Sequence, residues 1–347
     1  MDTTLVLVSI VVVIALVFDF TNGFHDAANA IATCVSTRSM RPKSALLMAA
    51  IMNIVGAMLG TGVAETIGNG IIDISHFTES TSVAEQHHGL VIILASLVGA
   101  TAWNIITRYF GLPSSSSHAL IGGMAGVGLA SAITVQWLGI LDHVIVPMIV
   151  SPLVGFFTAY LIMRALLALL KNVSYHRTMN NFRFLQRFAA AAMALGHGLQ
   201  DAQKTMGIIT MALLTAGYHG ASSGHLTIPF LVKVAAAGAI SLGTYFGGGR
   251  IMHTLGSKVI DVTPAHGFIA ELTSSSILYF TAFVWHAPIS TTQSVSSAIM
   301  GVGATKRLSA VRWGVAGNIA IAWVLTLPGA GLIGALSYFL IHAVFPY

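Results

Sequence analysis

The chain has 347 residues, of which 55% are hydrophobic and only 8% charged, and its mean hydropathy is +0.83. Soluble domains carry about 25% charged residues, so a soluble enzyme, a secreted disulfide scaffold and a disordered chain are all excluded. The formal charge of +5 requires no nucleic-acid partner, because basic residues gather in the cytoplasmic loops of membrane proteins and orient them.

Apolar runs near the ~20 residues that cross a bilayer recur from end to end, which predicts an all-α polytopic membrane protein. A β-barrel does not fit, since its strands alternate over ~10 residues. Asp2 stands where the basic region of a cleavable signal belongs. Residues 4–37 would run about 50 Å as one helix against a hydrocarbon core of about 30 Å. A break is therefore expected along the polar string Asp19, Thr21, Asn22, His25, Asp26 and Asn29. Arg38, Arg41 and Lys43 follow as the first basic cluster. The connection near 67–87 has no Lys or Arg and holds Asp73, Glu79 and Glu85. Residues 109–132 and 285–304 are interrupted by Pro, Gly and runs of hydroxyls, and broken backbone at membrane depth must line a protein-enclosed site.

The remaining basic clusters are Arg164, Lys171, Arg177, Arg183 and Arg187, then Arg250 and Lys258, then Lys306, Arg307 and Arg312. With these placed in the cytoplasm, the bare connections near 67–87, 133–143 and 218–226 and the N-terminus lie outside. The count is five crossings up to residue 170 and five after 188, so the halves insert in opposite senses. Residues 1–170 form a first membrane repeat, 171–187 a cytoplasmic linker, and 188–347 a second, inverted repeat.

Two motifs carry the repeat. Gly23-Phe24-His25-Asp26-Ala27-Ala28-Asn29 returns as Gly198-Leu199-Gln200-Asp201-Ala202-Gln203-Lys204. Pro113-Ser114-Ser115-Ser116-Ser117 returns as Pro288-Ile289-Ser290-Thr291-Thr292. Both pairs are offset by 175 positions, as are Gly126/Gly301 and Gly128/Gly303. Unlike motifs at one shared offset, with an odd crossing count, predict inverted-topology repeats whose broken or re-entrant helices meet at a central site.

Intramembrane carboxylates are functional by default, because an ionised Asp without partners is costly there. Asp26 and Asp201 suit a coupling cation or proton, with Asn22 and His25 beside Asp26. The hydroxyl runs follow Pro, which suits a helix's first turn, and helix N-termini bind anions. Ser114, Ser115, Ser116 and Ser117 with Ser290, Thr291 and Thr292 therefore read as two tips enclosing a small oxyanion. Asn29 and Lys204 occupy matching positions, and Lys204 either neutralises Asp201 or contacts the anion. The lone Cys34 permits neither an internal disulfide nor a thiolate metal cluster. The fourteen histidines are scattered and read mostly as interfacial or loop residues, and no fixed metal site is expected. Glu65 and Glu271 lie in apolar surroundings without repeat partners.

At these residues the chain resembles the inorganic phosphate transporter (PiT) family: 18–30 looks like the family signature in its bacterial form, and 196–204 like its second copy. The resemblance covers essentially the whole chain and implies a phosphate site at the repeat interface. Sodium-coupled members read G-A-N-D-x-A-N, whereas the copies here read G-F-H-D-A-A-N and G-L-Q-D-A-Q-K. That departure resembles bacterial members run on protons and accepting a neutral metal–phosphate complex.

The expectation is a proton-driven symporter of inorganic phosphate in the bacterial plasma membrane, working by alternating access. No cofactor is needed, and a divalent metal is a candidate co-substrate. Sodium coupling, or sulfate as the anion, are the near alternatives; an intramembrane hydrolase built on one serine and His118, and a passive anion channel, are the distant ones. A homodimer is compatible with this reading.

Overall fold

A computed structural model describes residues 3–69, 82–219 and 227–345. Its helices, in chain order, are α1 (Thr3–Ser36), α2 (Pro42–Met58), α3 (Gly62–Asn69), α4 (Val83–Phe110), α5 (Ser116–Ala130) and α6 (Trp137–Leu169). There follow α7 (Tyr175–Thr215), α8 (Phe230–Phe246), α9 (Gly249–Lys258), α10 (Pro264–Trp285), α11 (Thr291–Ala304) and α12 (Trp313–Val344). The chain is a multi-pass, all-helical membrane protein. Asp73, Glu79 and the connection from residue 220 to 226 lie outside the described residues.

Five of these helices are long and apolar enough to cross a bilayer, or six if α8 and α9, bent by 63°, count as one span. Ten crossings were expected; of the other helices, α7 is 41 residues long but too polar to join these, and the rest are short. Helix α2 has 17 residues, and α5 and α11 have 15 and 14, so at 1.5 Å per residue the last two reach only about 22 Å.

The internal period is visible in the helices themselves. Helices α4 and α10 end at Phe110 and Trp285, α5 and α11 begin at Ser116 and Thr291, and α6 and α12 end at Leu169 and Val344. Each of those pairs is 175 positions apart. The expected interruptions after α4 and α10 are present. Gly111 (φ 67°) caps α4 and His286 (φ 52°) caps α10, and extended residues lead to α5 and α11.

The expected break in residues 4–37 is absent. Helix α1 runs unbroken for 34 residues, and α7 runs 41 through Asp201. Neither carries a proline, and their polar side chains are accommodated by neighbouring helices rather than by opening the backbone. Helix α7 also begins at Tyr175, so most of 171–187 is helical and continuous with the second half.

Packing is reciprocal between the halves: α1 lies on α8 and α7 on α2, while α6 packs on α11 and α12 on α5. A Cβ on Gly23 would stand 2.1 Å from the Ile240 carbonyl oxygen, and one on Gly198 would stand 2.3 Å from that of Asn53. Gly56 against Leu195 and Gly243 against Phe20 repeat the arrangement, each at 2.0 Å. Small residues that let backbones approach are the usual currency of helix association in lipid. Gly198→Ala is therefore expected to lower stability by about 1–3 kcal/mol, the range for overpacking, seen as a reduced thermal midpoint in detergent; an unchanged midpoint would contradict the tight contact.

The outer faces are apolar. Leu153, Phe157 and Leu161 on α6 and Leu332, Leu336 and Phe339 on α12 are exposed, as lipid contact requires. The polar residues are instead inside, concentrated where α1 and α7 cross and the tips of α5 and α11 arrive.

Candidate functional site

Asp26 sits on α1, 1% exposed, and Asp201 on α7, fully buried. Ligand atoms of Asp26, His197 and Asp201 all lie within 4.8 Å of one another, so the two repeat-related carboxylates share one site. His25 Nδ1 donates to Asp26 Oδ1 at 2.7 Å, Thr292 Oγ1 donates to the same oxygen at 3.1 Å, and Ser116 Oγ donates to Oδ2 at 3.1 Å. Around Asp201, the Lys204 ammonium pairs with Oδ1 and Thr291 Oγ1 donates to Oδ2 at 3.3 Å.

The two halves mirror each other in chemistry. Ser116 and Thr291 occupy equivalent positions, and each donates to the carboxylate of its own half. Asn29 and Lys204 are likewise equivalent, and each reaches to the tip of the other half. Asn29 Nδ2 donates to Thr292 Oγ1 at 2.8 Å, and Lys204 Nζ donates to Ser117 Oγ. Asn29 also lies 3.4 Å from Thr291 Oγ1. Lys204 further approaches the Ile289 carbonyl at 3.4 Å, which Ser117 Oγ also contacts at 3.2 Å.

The tips form because Ser115 and Ser290 are the N-caps. Their hydroxyls accept from the backbone N–H of His118 and Gln293, each at 3.2 Å. Capping uses those two side chains and leaves Ser116, Ser117, Thr291 and Thr292 in the first turns, where backbone N–H groups have no intrahelical partner. Ser114 is turned aside: it donates to Thr107 Oγ1 at 2.9 Å and stands 3.5 Å from His25 Nε2. Asn22 is fully buried, and neither of its amide atoms has a hydrogen-bond partner among the described residues.

Three histidines lie in this buried centre. His25, His118 and His197 are each 1% exposed. His197 and its partner Asn53 are participants that sequence reasoning missed. The His197 Nδ1 lies 3.1 Å from Asn53 Oδ1 and its Nε2 3.1 Å from Asp201 Oδ2. With Nδ1–H donated to Asn53, Nε2 keeps a lone pair directed at the carboxylates, so Asp26, His197 and Asp201 form a set that could hold a cation. The available signals were its i−4 spacing from Asp201 and its position 175 beyond Asn22.

Chemically, the site places two helix N-termini and four hydroxyls against two carboxylates and one ammonium. Every one of these hydroxyls either donates to a carboxylate or is bonded to Asn29 or Lys204. It can therefore exchange an anion for a carboxylate as hydrogen-bond acceptor.

The model of the phosphate transporter family matches residues 22–334. A probable low-affinity inorganic phosphate transporter of Bacillus subtilis (strain 168) is 43% identical over 347 residues, covering 99% of this chain and all of that protein. A protein of the same name from Rhizobium meliloti (strain 1021) is 46% identical over 344 residues, covering 98% of each. Among solved structures, one named the sodium-dependent phosphate transporter matches with a TM-score of 0.83 at 24% identity, over 98% of this chain and all of that one. At that identity the likeness establishes the fold.

Proposed function

Because the chain belongs to the phosphate transporter family, and is thus a transporter and not an enzyme, we propose that it is a low-affinity, proton-driven symporter of inorganic phosphate. The observation that carries the reading is the shared hydrogen bonding of the hydroxyl tips and the carboxylate pair. Ser116 and Thr292 donate to Asp26 and Thr291 donates to Asp201. A proton on either aspartate weakens it as an acceptor and releases those hydroxyls toward a phosphate oxygen. Protonation and anion binding then favour each other, and linkage makes the coupling reciprocal. On Asp201 the same proton also releases the Lys204 ammonium, which adds positive charge to the anion site.

Protons are favoured over sodium because His25, His197 and Lys204 occupy contact positions around the carboxylates. Titratable and cationic groups suit proton exchange, whereas a hard cation such as sodium favours an all-oxygen shell and is repelled by a neighbouring ammonium. The Asp26–His197–Asp201 set supports a metal hydrogenphosphate as an accepted form of the substrate, with the metal as cargo. Alternating access would follow from rocking the reciprocally packed halves about this site, with the repeats inverted, the N-terminus outside and the plasma membrane as location.

The test is uptake by proteoliposomes with phosphate or sulfate and independently imposed proton and sodium gradients. An inward proton gradient should drive phosphate accumulation, with no stimulation by sodium and no competition from sulfate. Accumulation driven by sodium alone would establish sodium coupling, and mutual competition with sulfate would overturn the choice of anion.

A further inference from the structure

Two buried carboxylates take no part in the site just described. Asp19, on α1, is fully buried; the Thr205 hydroxyl of α7 stands beside it, but neither of its oxygens makes a hydrogen bond of ordinary geometry among the described residues. Glu271, on α10, is 1% exposed; the Thr33 hydroxyl donates to its Oε1 and the Gln186 amide stands beside the carboxyl, while Oε2 makes no hydrogen bond of ordinary geometry among the described residues. Neither is matched by the internal repeat, since Ala194 and Ser96 hold the equivalent positions. Symmetric substrate binding therefore has no use for them, yet each is held where an ionised carboxylate is poorly compensated.

Their placement along α1 is regular. Asp19, Asn22, Asp26, Asn29 and Thr33 follow one another at intervals of three or four, all buried, and so form one polar stripe on a single helix face, with buried Thr37 in the turn just past its end. Asp19 lies seven residues before Asp26, and Thr33, the anchor of Glu271, lies seven after it. At 1.5 Å per residue each interval is about 10 Å, short enough for hydrogen-bonded water to bridge. Beyond Thr33 the chain of polar contacts continues: Gln186 Nε2 donates to Thr33 Oγ1 at 3.2 Å, and the Ser39 hydroxyl donates to Gln186 Oε1 at 2.7 Å. Ser39 lines a cavity of about 600 Å³ that also takes in Arg38, Arg41 and Arg187.

Resting on the proton-coupled reading above, we infer that Asp19 and Glu271 are way-stations for the coupling proton, one on each side of the Asp26–Asp201 pair, in a carboxylate ladder along α1. The proton passes as O–H from one carboxylic acid to the next carboxylate, leaving the donor ionised, and nothing is oxidised or reduced. Asp201 and Lys204, both on α7, face Asp19 together with the Thr205 hydroxyl; Cys34 on α1 and Gln186 on α7 face Glu271, and the Arg187 cation of α7 reaches the same Cys34. Asp19 is thus placed to exchange with the central pair, while Glu271 stands at the end of the stripe nearest the arginine-lined cavity.

The test uses full-length protein in proteoliposomes and compares Asp19→Asn and Glu271→Gln with the parent. Two quantities are read: phosphate accumulation with proton influx under a pH gradient, and phosphate counterflow at equal pH, which needs no net proton movement. Each variant should lose about tenfold or more of gradient-driven accumulation and proton influx, as expected of an interrupted relay, while counterflow stays close to the parent rate. Gradient-driven accumulation equal to the parent in both variants would overturn the ladder. Equal loss of both activities would assign the residues a structural role and overturn it too. A parent protein that accumulates phosphate without moving protons would instead remove the proton-coupled reading on which the ladder rests. Should either variant fail to yield monodisperse protein, Asp19→Ala and Glu271→Ser, which copy the repeat-related residues, replace them with the same expected results.

Discussion

Asp26→Asn is expected to yield a folded protein whose phosphate uptake is reduced by about 100-fold or more, a loss of about 2.7 kcal/mol at tenfold per 1.36 kcal/mol. Asparagine has nearly the same volume, and its carbonyl can still accept from His25, so packing at this buried position is preserved. What disappears is the proton-accepting oxygen and one of the two acceptors that gather Ser116 and Thr292. The hydroxyl tips would no longer sense whether the proton is bound, and the amide's own N–H would compete with them as a donor. Radiolabelled phosphate uptake, with a thermal melt to establish folding, measures both halves of the statement. Normal uptake by a folded Asp26→Asn protein would remove Asp26 from the mechanism.

The second large effect concerns Lys204, which is fully buried and paired with Asp201. Lys204→Asn, which copies Asn29 of the first half, leaves Asp201 without its cation and should cost about 3–5 kcal/mol of stability, the range for breaking a buried pair. Removing both charges in Asp201→Asn/Lys204→Asn should recover most of that stability while uptake stays lost, because the second proton acceptor is gone. The readout is the thermal midpoint of the two variants beside the parent in detergent. A Lys204→Asn protein as stable as the parent would show that the ammonium is not the charge partner of Asp201.

Much of the site was legible because it is written twice. The shared offset of 175 singled out Asp26, Asp201 and the hydroxyl runs, and the Pro-then-Ser/Thr pattern pointed to the helix N-termini near 116 and 291, although Pro113 and Pro288 lie ahead of the caps Ser115 and Ser290 and not in the first turns. It did not separate Ser115 and Ser290, whose hydroxyls cap their helices, from the four residues behind them that reach Asp26, Asp201, Asn29 and Lys204. The break expected in α1 was misread for an identifiable reason. Length alone argued against one helix, but the polar residues at 19, 22, 26, 29 and 33 carry the helical period, which a continuous helix satisfies by burying one face.

His197 and Asn53 were missed because their roles are tertiary. Asn53 belongs to α2, whose counterpart α8 lies at a different offset: Gly56 and Gly243, which make equivalent backbone contacts, are 187 apart, because the connection from α7 to α8 is longer. The repeat was thus hidden where that contact is made. Glu271, by contrast, was visible as a carboxylate in an apolar stretch, but nothing local links it to Thr33 and Gln186, which come from α1 and α7.

The central claim is that a tetrahedral anion is held between the tips of α5 and α11 beside the two carboxylates. The most direct measurement is a structure determined with arsenate, a heavier tetrahedral mimic of phosphate whose anomalous signal locates it. The account expects one arsenic position bounded by Ser116, Ser117, Thr291 and Thr292, with Asn29 and Lys204 within reach. An arsenate bound only elsewhere, such as in the cavity of Arg38, Arg41 and Arg187, with nothing between the tips at saturating concentration, would contradict it.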